Sequence, residues 1–181
     1  MNKNSLLNLS VLTVLCFFSS SLLGKKDIPK ESSDLLGKYG LKGWKVPKGN
    51  ESSKWYQVTN NILEVRSGPK KKGSVLWTEK EYQDFEVSLG FRFIEGTIDS
   101  GIHLRNSDQI QIGISGSLKR DMTCSPYVPG KGYPVEAKNI KKLLKPNGWN
   151  QMRIQAVGQN YTVLLQEEEV MKYKSSSAKE K

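Results

Sequence analysis

The residues best placed to do chemistry lie in two short runs, Ile98–Arg105 and Gln109–Ser115. Both alternate with period two, the mark of half-buried strands. In the first run Ile102 and Leu104 share one face, and Gly101, His103 and Arg105 share the other. In the second, Ile110, Ile112 and Ile114 oppose Gln109, Gln111 and Gly113. The intervening Asn106-Ser107-Asp108 is short enough to close the two runs into a tight hairpin, with Asp108 capping the turn. The polar side then presents an imidazole, a guanidinium and two amides. Arg92, from the polar side of an earlier strand, is expected to join them on one concave wall. Such a surface is either simply solvated or suited to a polyhydroxylated ligand, because forked donors and amides match neighbouring hydroxyls.

Strands must position these groups, and the sequence supplies them. Trp55–Val58 and Ile62–Arg66 flank Asn60-Asn61, a turn signal. Ser74–Thr78 follows the basic stretch 68–73. The strongest strand is Phe85–Phe93, with Phe85, Val87, Leu89, Phe91 and Phe93 on one side and Glu86, Ser88, Gly90 and Arg92 on the other. After the hairpin, 118–134 reads as a long loop containing Pro126, Pro129, Gly130, Gly132 and Pro134, with Tyr127 and Tyr133 giving it something to contact. Ile140, Leu143 and Leu144 recur at helical spacing, and Pro146-Asn147-Gly148 stops that helix. Trp149–Val157, Tyr161–Leu165 and Glu167–Tyr173 close the chain as strands. Trp55, Trp77 and Trp149 are expected in the core. Many short strands, local turns and one short helix predict an all-β, antiparallel β-sandwich of the jelly-roll kind.

At 181 residues the chain is long enough for one domain with its own core. Residues 1–24 read as an export signal: Lys3, an apolar run over 6–18, then Ser19-Ser20-Ser21. The expected location is therefore periplasmic or extracellular, with a lipid anchor at Cys16 as a further expectation. Residues 25–42 form a lead-in, and 43–181 the domain. Cys16 lies in the leader, so a processed chain would keep Cys124 alone and have no internal disulfide. The single histidine argues against a His-rich zinc site, no calcium-loop spacing is visible, and no metal or cofactor is expected. The net charge of +10 comes from 28 Lys and Arg against 18 Asp and Glu. Its lysines are scattered rather than interleaved with aromatics, which predicts a basic surface and no nucleic-acid binding.

Several ordered stretches together resemble one family. They are Leu76-Trp77-Thr78-Glu79-Lys80-Glu81-Tyr82 with Asp84-Phe85-Glu86; Phe91-Arg92-Phe93; Ser100-Gly101-Ile102-His103-Leu104-Arg105; Gln111-Ile112; Ser125-Pro126-Tyr127; Pro129 through Ala137; and Gly148-Trp149-Asn150. Over about 43–181 the chain resembles the 3-keto-disaccharide hydrolases. That resemblance implies a concanavalin A-like sandwich and cleavage of sugars oxidised at C3. The ketone acidifies the C2 proton, so removing it lets the C1 substituent leave. The resemblance makes His103, Glu79 and Glu136 the acid/base candidates. Arg92 and Arg105 become clamps for the enolate, and Gln109, Gln111 and Tyr127 sugar contacts. Two departures stand out. The family pattern has Asn where this chain has Asp99, and a carboxylate where it has Gln109. The pattern also continues with further strands past Lys181. Three functions therefore stand side by side: a 3-keto-glycoside hydrolase or lyase, a lectin-like module that holds sugar without turnover, and a shortened copy with no independent role.

Overall fold

The strand Phe85–Glu95 is the spine of the structure. Its alternate residues Leu89 and Phe91 are fully buried, while Arg92 faces away. The computed structural model describes residues 11–15, 34–36, 40–45, 55–67, 73–105 and 107–176. In chain order the elements are β1 (Val11–Leu15), β2 (Trp44–Lys45), β3 (Tyr56–Thr59), β4 (Ile62–Arg66), β5 (Trp77–Thr78), β6 (Phe85–Glu95), β7 (Asp99–Leu104), β8 (Asp108–Gly113), β9 (Pro126–Tyr127), the single helical turn α1 (Ile140–Leu143), β10 (Asn150–Val157), β11 (Asn160–Leu165) and β12 (Glu168–Lys174).

A seven-stranded antiparallel sheet runs β12-β11-β10-β6-β1-β4-β3. A three-stranded sheet, β7-β8-β9, forms the opposing layer, and β2 pairs with β5 alone. One apolar cluster joins the layers. Leu89, Phe91, Ile154, Tyr161 and Val163 of the large sheet pack with Leu104, Ile110 and Ile112 of the small one. Burying each such aliphatic or aromatic side chain contributes roughly 1.5–3 kcal/mol. The all-β sandwich is therefore the observed architecture.

Local chemistry explains the turns. Asn60 and Asn61 both adopt positive φ, 52° and 60°, in the two-residue link between β3 and β4. Gln166 and Glu167 do the same between β11 and β12, at 52° and 65°, although neither is a residue that favours that conformation. The expected helix is only Ile140–Leu143, because Asn139 before it is left-handed and Leu144 after it is extended. The expected strand Ser74–Thr78 is reduced to Trp77–Thr78. Within the expected loop 118–134, Pro126-Tyr127 pairs with Ile110 and Gln109 as an edge strand.

Val11–Leu15 falls in the stretch expected to be an export leader, and here it is a strand paired on both sides, with β4 and β6. The rest of 1–24, including Cys16, and most of 25–42 lie outside the described residues. Among the described residues no helix is long and apolar enough to cross a membrane. Asp108, expected as the cap of the hairpin turn, has partners well beyond it. It is fully buried, and its Oδ2 accepts from Tyr161 Oη at 3.0 Å and from Ser175 Oγ at 2.5 Å. It ties the hairpin to β11 and to the end of β12.

Candidate functional site

The register of the hairpin builds the site. His103 lies directly opposite Gln109, Gly101 opposite Gln111 and Asp99 opposite Gly113. Gln109 in turn lies opposite Tyr127 of β9. Directly opposed residues share a face, so Asp99, Gly101, His103, Gln109, Gln111 and Tyr127 all rise from the outer side of the three-stranded sheet. Ile102, Leu104, Ile110 and Ile112 occupy the inner side.

The amides are fixed by their neighbours. Gln111 Nε2 donates to Asp99 Oδ1 at 2.8 Å and to the Ile114 carbonyl at 3.3 Å. Gln109 Nε2 donates to Gln111 Oε1 at 3.0 Å and to the Ser100 carbonyl at 3.1 Å. Gly101 makes this possible, since a Cβ there would sit 2.5 Å from the Ile110 carbonyl and collide with the Gln109 side chain. Beside the relay is a cleft of about 170 Å³ lined by Asp99, Gln111, Ser115, Gly116, Ser117, Tyr127 and Tyr133. The two tyrosine rings meet edge to face, 5.3 Å apart. Burial raises the Tyr133 phenol above its usual range, and the nearby Asp99 charge adds to this, so the hydroxyl stays protonated. At the other end of the row the His103 ring lies 5.5 Å from Trp77, tilted by 47°. Burial lowers the His103 pKa, so the imidazole is neutral at pH 7. Its Nδ1 is buried without a partner, which leaves Nε2 as the atom facing outward.

The other expected site residues are elsewhere. Arg92 is on the outer side of the large sheet, since it neighbours Phe91 in β6 and its guanidinium lies over Trp149, 5.1 Å from the ring. The two layers turn their outer sides in opposite directions, so Arg92 does not share a wall with His103 and Gln111. Arg105 follows β7 with φ 50°, and its Nη2 reaches Asp84 Oδ1 at 3.1 Å. Asp84 Oδ1 also accepts from the Gly158 amide at 2.8 Å, so Arg105 is tied through Asp84 to the β10–β11 turn rather than to the cleft. Glu136 is exposed and gripped by both guanidinium nitrogens of Arg120, a hydrogen-bonded pairing that lowers its pKa. Glu79 lines a separate hollow of about 450 Å³ with Asp34, Lys42, Trp44 and Tyr82. Trp77 and Trp149 are half-buried on outer faces rather than in the core, whereas Trp55 packs against the core. Among the described residues no cluster of three or more His, Cys, Asp or Glu could hold a metal ion.

Asp99, Ser115, Trp77 and Tyr133 were not expected at the site. Asp99 had a readable signal, because it stands two positions before Gly101 and shares its parity. Ser115 had the same signal, two positions after Gly113 in its run, whereas Tyr133 had none, because it reaches the cleft through tertiary packing.

Residues 31–181 match the family described as the 3-keto-alpha-glucoside-1,2-lyase-like domain. The chain belongs to that family. Among solved structures, the chain resembles the crystal structure of a "Putative glycosyl hydrolase" from Parabacteroides distasonis ATCC 8503. The identity is 27% and the TM-score 0.54, over 77% of this chain and 70% of that one. No curated protein matches. The 3-keto-alpha-glucoside-1,2-lyase-like family match and the glycosyl-hydrolase neighbour both support a glycoside-processing function.

Proposed function

We propose that the outer side of the three-stranded sheet binds a 3-keto-glycoside and cleaves it by elimination. The observation that supports this reading is the row Trp77–His103–Gln109–Tyr127 beside the Asp99–Gln111 cleft. It combines aromatic surface, oriented amides, proton acceptors and phenol hydroxyls on one wall. Each part matches a need of a sugar ring, whose faces are apolar and whose edges are hydroxylated.

In the reaction a base takes the proton from C2, next to the C3 ketone. The C–H electron pair passes through the enolate and becomes the C1=C2 bond. The C1–O bond breaks, and its electrons leave on the aglycone oxygen, which takes a proton from a phenol such as Tyr133. Water adding across the new double bond would complete a net hydrolysis. The proton acceptors on this wall are the Asp99 carboxylate and the neutral His103 imidazole. Hydrogen-bond donors for the enolate oxygen come from the tyrosine hydroxyls. The pairing of two neutral amides at the centre of the row supports a second reading, a lectin-like module that holds sugar without turnover.

Turnover separates the two. Folded protein incubated with p-nitrophenyl 3-keto-α-glucoside is expected to release nitrophenol. Absence of release, together with measurable binding of the same compound, would favour the module.

A further inference from the structure

The relay of amides has a direction. Asp99 Oδ1 and the Ile114 carbonyl can only accept, so Gln111 must turn its nitrogen toward them. Its Oε1 then faces Gln109, whose own nitrogen is committed to that oxygen and to the Ser100 carbonyl. Along the relay Gln109 donates to Gln111 and Gln111 to Asp99, so the carboxylate is the terminal acceptor of that run. Among the described residues it is the one carboxylate lining the cleft with Tyr127 and Tyr133. Gly116 closes on its second oxygen, so tightly that a Cβ there would lie 2.5 Å from Asp99 Oδ2. One oxygen is thus pinned by Gln111 and the other is held at the cleft wall.

We propose that Asp99 is the catalytic base of this chain, standing in for the carboxylate that the family pattern places at Gln109. The inference rests on the 3-keto-glycoside reading and assigns its proton-abstraction step. Asp99 takes the C2 proton and becomes a neutral acid, the C–H pair forms C1=C2, and the aglycone oxygen leaves with the Tyr133 proton. Solvent then returns a proton from Asp99 to Tyr133. His103 stands four residues along β7, roughly 13 Å away at strand spacing, and cannot reach the same C–H bond. Gln109 Oε1, which is free of the relay's own bonds, is left to accept from a sugar hydroxyl.

Three variants test this: Asp99→Asn, Asp99→Ala and His103→Gln, with p-nitrophenyl 3-keto-α-glucoside as substrate. Asn keeps an oxygen for Gln111 and preserves the relay. Turnover is expected to fall by about 10²–10⁴-fold in Asp99→Asn, with affinity for methyl α-glucoside within several-fold of the parent. Formate is expected to restore part of the activity of Asp99→Ala, a rescue that a purely structural role would not produce. The acidic limb of the pH–rate profile should persist in His103→Gln. Undiminished turnover in Asp99→Asn, with an active parent, overturns the assignment and leaves the reading intact. Transfer of the acidic limb to His103 does the same. An inert parent whose C2 hydrogen never exchanges removes the reading and the assignment together.

Discussion

Replacing Tyr161 by Phe should weaken the attachment of the hairpin to the large sheet. Tyr161 is fully buried, and its hydroxyl donates to Asp108 Oδ2 at 3.0 Å. Phe keeps the ring, so apolar burial is unchanged. What is lost is a hydrogen bond to a carboxylate, which contributes about 1.5–3 kcal/mol. Asp108 keeps Ser175 Oγ at 2.5 Å and Ser107 Oγ at 3.4 Å, so it is not left bare, and about 2 kcal/mol is the expected loss. For a domain of this size that corresponds to a Tm lower by about 4–8 °C. Urea unfolding at neutral pH should show a lower midpoint with the same m-value, since no exposed surface changes. A pH series adds a second check. Burial, the Asp108 charge and the bond to Asp108 all push the Tyr161 phenol far above its ordinary range. Its contribution is therefore fully present below about pH 10, the unfolded value, and is lost as pH climbs through the folded value. The gap between parent and variant should narrow above about pH 10. A loss under about 0.5 kcal/mol at neutral pH, or a gap that stays constant into strong alkali, would show that the Tyr161–Asp108 bond does not hold the hairpin to the sheet.

Other perturbations have equally definite outcomes. The Glu167→Gly variant should be more stable by up to about 1 kcal/mol in urea unfolding, since relief of a left-handed residue outweighs an exposed ion pair with Arg153; a clear loss would mean the ion pair dominates. In a Cys16→Ser background, Cys124 should resist a thiol reagent until denaturant is added, because burial pushes its thiol far above the usual range. Stoichiometric labelling of the native protein would contradict that. Burial lowers the His103 pKa, so the parent should lose stability as pH falls below about 6.5, and His103→Gln should lose less over that window. Parallel pH curves would show that the ring is not desolvated. A chain lacking residues 1–24 should melt lower and less cooperatively, because β4 and β6 would both lose their ladder with β1. An unchanged melt would show that the sheet does not need that strand.

The hairpin was legible because its information is local. Two alternating runs and a short turn fix the register, and the register alone places His103, Gln109 and Gln111 on one face. Asn60-Asn61 was legible for the same reason. Parity also shows that Arg92 turns away from Phe91, but it does not say to which layer a strand belongs. In a sandwich the outer sides of the two layers are opposite surfaces, so Arg92 and His103 separate. The strand at Pro126-Tyr127 exists only because β8 pairs with it, and two residues carry no pattern of their own. Asp108 reads locally as a turn residue, and its partners Tyr161 and Ser175, 53 and 67 positions away in sequence, leave no local signal. Glu79 and Glu136 were of the right chemical type, but the separate hollow and Arg120 take them away from the cleft.

If the Asp99 cleft removes a proton from C2 of a 3-ketosugar, isotope exchange reads that step directly. In D₂O, folded protein and methyl 3-keto-α-glucoside, followed by proton NMR, should show loss of the C2 signal well ahead of the protein-free control. The exchange should all but vanish in Asp99→Asn. A C2 signal that decays no faster than the control, or decays equally fast in Asp99→Asn, would contradict it.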